Sequence, residues 1–298
     1  MTEAAAEPEI IPFADIALGE ILGRGYYGLV YKALWGDLPI AVKQIKQGFE
    51  DKEFKREVKQ LSKVSHENII QLYGVSVHEK TVHLLIEYVE GGSLHNFLHA
   101  EWQPSYTLAH AISWALQIAE GVAYLHAMTP KAVIHRDIKP LNSLLGQRGL
   151  HVKICDFGTV VDMTSSMTNN RGTVLYMAPE VCRGRHYTEL CDVHSWAMTL
   201  WEILSRRQPY ENLLTPYMVI MDVITGQRPP LDQVMVECPE HIKCLIKDCW
   251  DMEPSSRHSM RHIVTVLREF MAINEDKLKP LDYVFRNQTV LPIEHKDS

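Results

Sequence analysis

The sequence predicts an α+β fold in two lobes, a small, mainly antiparallel β lobe followed by a larger, mainly helical one. Three observations carry that expectation. Across residues 16–86, short runs of β-branched and apolar residues alternate with glycines and turn residues. Residues 87–92, E-Y-V-E-G-G, then interrupt the pattern with paired glycines, as a linker between lobes does. From Ser93 onward the apolar residues recur every three and four positions, the period of helices.

Composition sets the outer limits. The chain has 298 residues, of which 46% are hydrophobic and 22% charged, enough for a sizeable core. A formal net charge of −7 argues against nucleic-acid binding and leaves no basic membrane patch. The six cysteines (Cys155, Cys182, Cys191, Cys238, Cys244 and Cys249) form no C-x-x-C pair and read as reduced thiols of a cytoplasmic protein. The start of the chain lacks a basic, then apolar signal pattern, and no run approaches the roughly 18 apolar residues of a membrane span.

In order along the chain, residues 1–15 are acidic, contain no Lys or Arg, and read as a mobile leader. A strand then runs into Gly23-Arg24-Gly25-Tyr26-Tyr27-Gly28. G-x-G-x-x-G alone is a weak signal, since dinucleotide-binding folds use it to open a helix. Here Leu29-Val30-Tyr31 follows, the start of a second strand, so the glycines form a flap whose amides face phosphates. There is no Gly-Lys dipeptide and hence no Walker A loop. Ile40-Ala41-Val42-Lys43 is a third strand. Phe54, Val58, Leu61 and Val64 mark a helix face bordered by Glu57, and residues 69–77 and 82–86 complete the sheet. In the second lobe Leu108, Ala111, Ile112, Ala115, Ile118, Ala119 and Val122 predict a buried helix. Another opens near Asp192, and three more lie near 216–225, 239–250 and 259–272. Residues 276–298 show no strong period and are expected as a docked or loose tail.

The chemistry is concentrated between Val133 and Gly158. Asp137, Lys139, Asn142 and Asp156 sit on two polar turns separated by the short apolar runs 143–145 and 152–155. Asn142 and Asp156 are hard oxygen ligands suited to Mg²⁺. Asp137 can accept a hydroxyl proton, and Lys139 can neutralise charge on a moving phosphoryl group.

H-R-D-x-x-x-x-N from His135, followed by D-F-G from Asp156, resembles the eukaryotic protein kinases, and the resemblance runs from about Ile16 to Met271. It implies the bilobal protein kinase fold, with one regulatory helix in the N-lobe (16–86), a hinge (87–92), a C-lobe (93–275), and ATP and Mg²⁺ as cofactors. It places nucleotide under Leu22, Gly23, Arg24, Gly25, Tyr26, Tyr27, Gly28, Leu29 and Val30. Leu22, Val30, Ala41 and Leu144 would sandwich adenine, the backbone of Glu87 and Val89 would bond it, and Ile86 would guard the back pocket. Lys43 would hold the α- and β-phosphates and Glu57 would hold Lys43. Asp192 would tie its helix to the catalytic loop, and Arg257 would pair with Glu180. Lys139 and Gly172-Thr173 match the serine/threonine type, with the Thr173 hydroxyl bonding the catalytic aspartate and lysine.

Longer strings, including E-Y-V-E-G-G-S-L and M-T-N-N-R-G-T, resemble mitogen-activated protein kinase kinase kinases of the tyrosine-kinase-like group. That implies a MAP kinase kinase as protein substrate in a stress or immune cascade, a possible activator protein, and phosphorylation of Ser165 or Thr168 read by Arg136 or Arg171. Cys155 is a candidate to face the nucleotide pocket. Ser143, Ala197 and His258 depart from the family's usual residues, and Tyr26 and Tyr27 make the flap bulkier. Two pairs at i,i+4, His95/His99 and His258/His262, lack a third ligand in sequence and read as solvated or capping histidines. The competing function is a kinase-fold scaffold or decoy; a nicotinamide-dependent oxidoreductase is excluded by the strand after the glycines.

Overall fold

A computed structural model describes residues 8–25, 28–45, 58, 62–156, 171–286 and 288–293. Strands β1 (Ile16–Gly25), β2 (Gly28–Trp35), β3 (Leu38–Ile45), β4 (Leu72–His78) and β5 (Thr81–Glu87) form one antiparallel sheet in the order β1-β2-β3-β5-β4. Side chains alternate across a strand, so the neighbours Leu84 and Leu85, both fully buried, enter opposite faces. A sheet that is apolar on both faces needs two covers. Val58, Val64 and Ile69, with Leu125 of the second lobe, close the Leu84 face. Ile11 and Ile16 close the Leu85 face together with Ile40 and Val42.

That second cover modifies the expectation of a mobile leader up to residue 15. Ile11 N–H donates to Val75 O at 2.9 Å, Val75 N–H donates to Glu9 O at 2.8 Å, and Phe13 stacks on His78. Residues 9–15 therefore pack with the sheet. Gly28 shows why the flap ends on glycine: a Cβ there would stand 1.7 Å from Gln44 O on the paired strand.

The second lobe is helical: α1 (Leu94–Leu98), α2 (Leu108–His126), α3 (Arg171–Val174), α4 (Pro179–Cys182), α5 (Leu190–Ser205), α6 (Pro216–Thr225), α7 (Glu240–Cys249) and α8 (Met260–Ala272). The expected helices at 216–225, 239–250 and 259–272 fall on α6, α7 and α8. Thr107 caps α2 by accepting from His110 N–H, one of the donors a helix start leaves unpaired. α2 and α5 are buried almost all round, with Trp114, Trp196 and Trp201 filling the space between helices. Each indole N–H is spent on a carbonyl: Gly149 O, Ala115 O and Pro230 O respectively. No helix among the described residues is long and apolar enough to cross a membrane.

The tail is docked. β8 (Tyr283–Arg286) and β9 (Thr289–Pro292) form a hairpin against the second lobe and the linker. Trp102 Nε1 donates to Val290 O at 2.9 Å, Arg148 Nε donates to Leu281 O at 3.0 Å, and Tyr283 packs edge-on to Phe97. The linker accepts this packing because it carries glycine: a Cβ on Gly92, whose φ is +74°, would meet the Phe285 ring at 2.6 Å.

Glu180 and Arg257 form a buried bidentate pair, both N–O distances 2.8 Å, and Arg257 also donates to Leu190 O and Asp251 O. The pair joins α4 to the start of α5 and to the segment before α8. Removing the guanidinium leaves a buried carboxylate without its counter-charge, which costs about 3–5 kcal/mol. Arg257→Leu is expected to lower unfolding free energy by that amount in urea titrations. A loss below about 1 kcal/mol would show that the pair is not structural.

Candidate active site

The site rests on a short hairpin. β6 (Ser143–Gly146) pairs antiparallel with β7 (His151–Ile154), Ser143 opposite Ile154, so the turn before β6 and the turn after β7 emerge side by side. The first turn carries Asp137, Lys139 and Asn142, and the second carries Asp156. Cys155 N–H donates to Asn142 O at 2.9 Å and joins the two. Ser143, in place of the usual aliphatic residue, is buried and spends its hydroxyl on Lys139 O at 3.2 Å. The other two departures are also accommodated: Ala197 is fully buried in α5, and His258 Nε2 lies 3.3 Å from Asp248 Oδ2.

Asp192, fully buried in the first turn of α5, holds the turn that carries Asp137 from below. Its Oδ2 accepts from His135 N–H at 2.9 Å, its Oδ1 accepts from Arg136 N–H at 2.7 Å, and His126 Nε2 lies 2.9 Å from Oδ2. His135 Nδ1 accepts from Asp137 N–H at 3.3 Å, and its Nε2 donates to Cys155 O at 3.2 Å. Burial lowers the pKa of this imidazole against the pull of the carboxylates of Asp192, Asp137 and Asp156, in keeping with a neutral ring that bridges both turns.

Asp137, Lys139 and Asn142 are buried and close on one another. Lys139 Nζ lies 2.7 Å from both Asp137 oxygens and donates to Thr173 Oγ1 at 3.0 Å. Asn142 Nδ2 donates to Asp137 Oδ2 at 2.8 Å, which keeps the amide oxygen as its ligand atom. From the other lobe, Lys43 Nζ on β3 reaches Asp156 Oδ1 at 2.7 Å. Burial opposes ionisation of Asp156, but Lys43, with help from Lys139, outweighs it and holds the carboxyl below its ordinary range.

Between the lobes lies a cavity of about 430 Å³ that ends on Lys43, Asn142 and Asp156. Leu22, Gly23, Arg24 and Val30 form its roof, Ala41 and Ile86 its rear, and Leu144 its floor. Glu87 and Val89 border it at the linker, where Glu87 N–H is already given to Gln71 O, so a bond from Glu87 to a ligand must use its carbonyl. Gly25, Gly28 and Leu29 lie in the hairpin strands, Gly25 opposite Gly28 and Leu29 opposite Arg24 and Gln44. Cys155, a candidate in sequence to face the pocket, lines the cavity. Tyr26, Tyr27 and Glu57 lie outside the described residues, as do Ser165 and Thr168.

Sequence reasoning missed Phe285 and Gln288, which reach the cavity mouth from the tail hairpin. Gln288 Nε2 also donates to Ile21 O at 3.3 Å, so the tail touches β1 as well as the second lobe. The usable signal was Y-V-F-R-N-Q-T-V, two β-rich runs around a polar turn.

Comparison with known proteins agrees in kind. Residues 16–267 match the model of the family described as protein tyrosine and serine/threonine kinase. A Drosophila melanogaster protein named mitogen-activated protein kinase kinase kinase 7 is 49% identical over 96% of this chain and 42% of its own length. The Homo sapiens protein of that name is 47% identical over 92% of the chain and 45% of its own. A second Drosophila protein, putative mitogen-activated protein kinase kinase kinase 7-like, is 41% identical over 91% of the chain and 71% of its own. The chain thus spans less than half the length of the first two.

The Asp192 anchor carries a pH signature. Burial raises its pKa, but the hydrogen bond and charge of His126 and the Arg136 N–H outweigh this and leave it lowered. A carboxylate with a depressed folded pKa contributes stability above its unfolded value, near pH 4, and loses it as pH falls through the folded value. Asp192→Asn is expected to be less stable than the parent by about 1.5–3 kcal/mol at pH 7, with the difference shrinking below pH 4. Unfolding free energies measured from pH 7 to pH 2.5 check this; a difference that stayed constant would contradict it.

Proposed function

The chain belongs to the protein tyrosine and serine/threonine kinase family, and from that premise we propose that it is a Mg-ATP-dependent serine/threonine protein kinase. The observation that carries the proposal is the closed set formed by Asp137, Lys139, Asn142 and Thr173, at the end of a cavity that also holds the Lys43–Asp156 pair. Proton acceptor, cation and oxygen ligands stand together, as in-line phosphoryl transfer requires.

In the proposed mechanism the apolar roof and floor hold adenine while the carbonyl of Glu87 accepts a bond from its rim. Lys43, already directed to the end of the cavity, binds phosphate oxygens. Asp156 and Asn142 supply the hard oxygen donors suited to Mg²⁺, and the ion, when bound, would neutralise charge on the phosphates. Asp137 orients the substrate hydroxyl and accepts its proton. Lys139, held between Asp137 and Thr173, offsets negative charge beside the transferred group. The Lys139–Thr173 bond favours serine and threonine hydroxyls as acceptors, by analogy with kinases that carry this pair.

We place the protein substrate among MAP kinase kinases, which would make the chain's activity that of a kinase kinase kinase; the names of the relatives and the shared strings support this by analogy. An activator protein and a cytoplasmic location belong to the same proposal. The test is to incubate the purified chain with Mg-ATP and a MAP kinase kinase, beside Asp137→Asn. Phosphate is expected on serine or threonine. The variant is expected to bind nucleotide within about twofold of the parent while kcat falls by about 10²–10⁴. Near-normal turnover by the variant would remove Asp137 from the proposed role, and absence of transfer by the parent with intact nucleotide binding would favour a scaffold.

A further inference from the structure

The pair His95/His99 gains in the fold the third ligand that it lacks in sequence. His95 lies in α1 and His99 is the residue that ends it, so both imidazoles leave the same face. Glu202 comes from α5, more than a hundred residues later, and its side chain is fully buried. His99 Nε2 lies 2.8 Å from Glu202 Oε1, and His95 Nδ1 lies 3.6 Å from the same oxygen. One ligand atom from each of the three residues falls within 4.8 Å of the others.

We propose that His95, His99 and Glu202 form a divalent transition-metal site, with Zn²⁺ as its ion. Two imidazoles and one carboxylate are a donor set that zinc takes in three-ligand sites, with the fourth position left for water or an exogenous group. Tetrahedral zinc at about 2.0–2.1 Å from each ligand puts neighbouring ligand atoms about 3.3 Å apart. The two distances to Glu202 Oε1 straddle that value, so the ion needs shifts of only a few tenths of an ångström there. Glu202 Oε2 accepts a hydrogen bond from Tyr176 OH at 2.5 Å, which orients the carboxylate with Oε1 towards the imidazoles. Such outer bonds are a regular part of metal centres. A dication also answers the cost of a carboxylate buried to 0% exposure.

Access is open. The two imidazoles line a surface cavity of about 690 Å³ together with Trp102 and β9, so an ion and its fourth ligand can enter from solvent. His258/His262 provides a contrast within the same chain. Those rings also lie close, with centroids 4.5 Å apart against 4.6 Å for His95 and His99, and Asp248 stands beside His258, but among the described residues only the His95 group assembles three converging ligands. The proposed site is separate from the phosphoryl-transfer cavity and does not rest on the proposed activity.

The test uses the full chain, stripped with chelator and dialysed into millimolar Mg²⁺. Titration with Zn²⁺ followed by elemental analysis is expected to show one equivalent held through gel filtration and a raised melting temperature. Co²⁺ as a spectroscopic probe is expected to give the visible bands of a four-coordinate nitrogen–oxygen site without thiolate charge-transfer absorption, which separates it from the free cysteines. His95→Gln and His99→Gln should each weaken that binding by at least about tenfold. His95 makes the longer contact to Glu202, so His95→Gln remains informative if His99→Gln fails to fold. Zinc uptake equal in parent and His95→Gln, thiolate bands in the cobalt spectrum, or no retained equivalent would each overturn the assignment.

Discussion

A carboxylate with no exposed surface, Asp192, is the point on which the candidate site depends. It satisfies two consecutive backbone N–H groups, those of His135 and Arg136, and stands against the His126 ring. Without it, the buried His135 N–H and the half-buried Arg136 N–H would lose their partner, at about 1–3 kcal/mol for the buried one. The anchor also explains an otherwise costly backbone. Arg136 has φ of +73°, a left-handed conformation that brings its Cβ close to the following carbonyl and costs about 1–2 kcal/mol. The Asp192 bond to its N–H offsets that cost and turns the chain so that Asp137 and Lys139 face each other.

The two lobes divide the work. In the proposed mechanism the helical core would hold the acceptor side through Asp192, the His135 bridge and the Asp137–Lys139–Thr173 set. The sheet would hold the nucleotide side through Lys43, and the lobes meet where Lys43 reaches Asp156. Asp156 also has positive φ, +70°, so both turns of the site are strained at the residue that aims them. The tail hairpin adds a third element, Phe285 and Gln288 lining the cavity while Gln288 touches β1. A ligand in this cavity therefore contacts the sheet, the helical lobe and the tail.

Much of this was legible because the relevant residues are close in sequence. Asp137, Lys139 and Asn142 occupy six consecutive positions, and any strand–turn–strand built from them brings the groups together. The change from strands to helices was legible because the hydrophobic period changes from two to three and four across a pair of glycines. What stayed hidden depends on packing between distant segments. Nothing in residues 9–15 says that the Leu85 face of the sheet lacks a cover until the sheet is seen to be apolar on both sides. Glu202 becomes a neighbour of His95 and His99 only through the crossing of α1 and α5. Phe285 enters the cavity only because Gly92 leaves room for its ring. Each is a consequence of which surfaces are left uncovered, a property of the assembled core rather than of a local pattern.

The central claim is that the helical core sets the acceptor geometry independently of nucleotide binding. Single-turnover transfer by Asp192→Asn at saturating Mg-ATP, paired with the nucleotide Kd of the same folded sample, tests it most directly. A misplacement of about 1 Å at the catalytic turn is worth about 10² in rate. A fall of that order is expected, with Kd within about twofold of the parent. An unchanged transfer rate, or a loss expressed wholly in Kd, would contradict it.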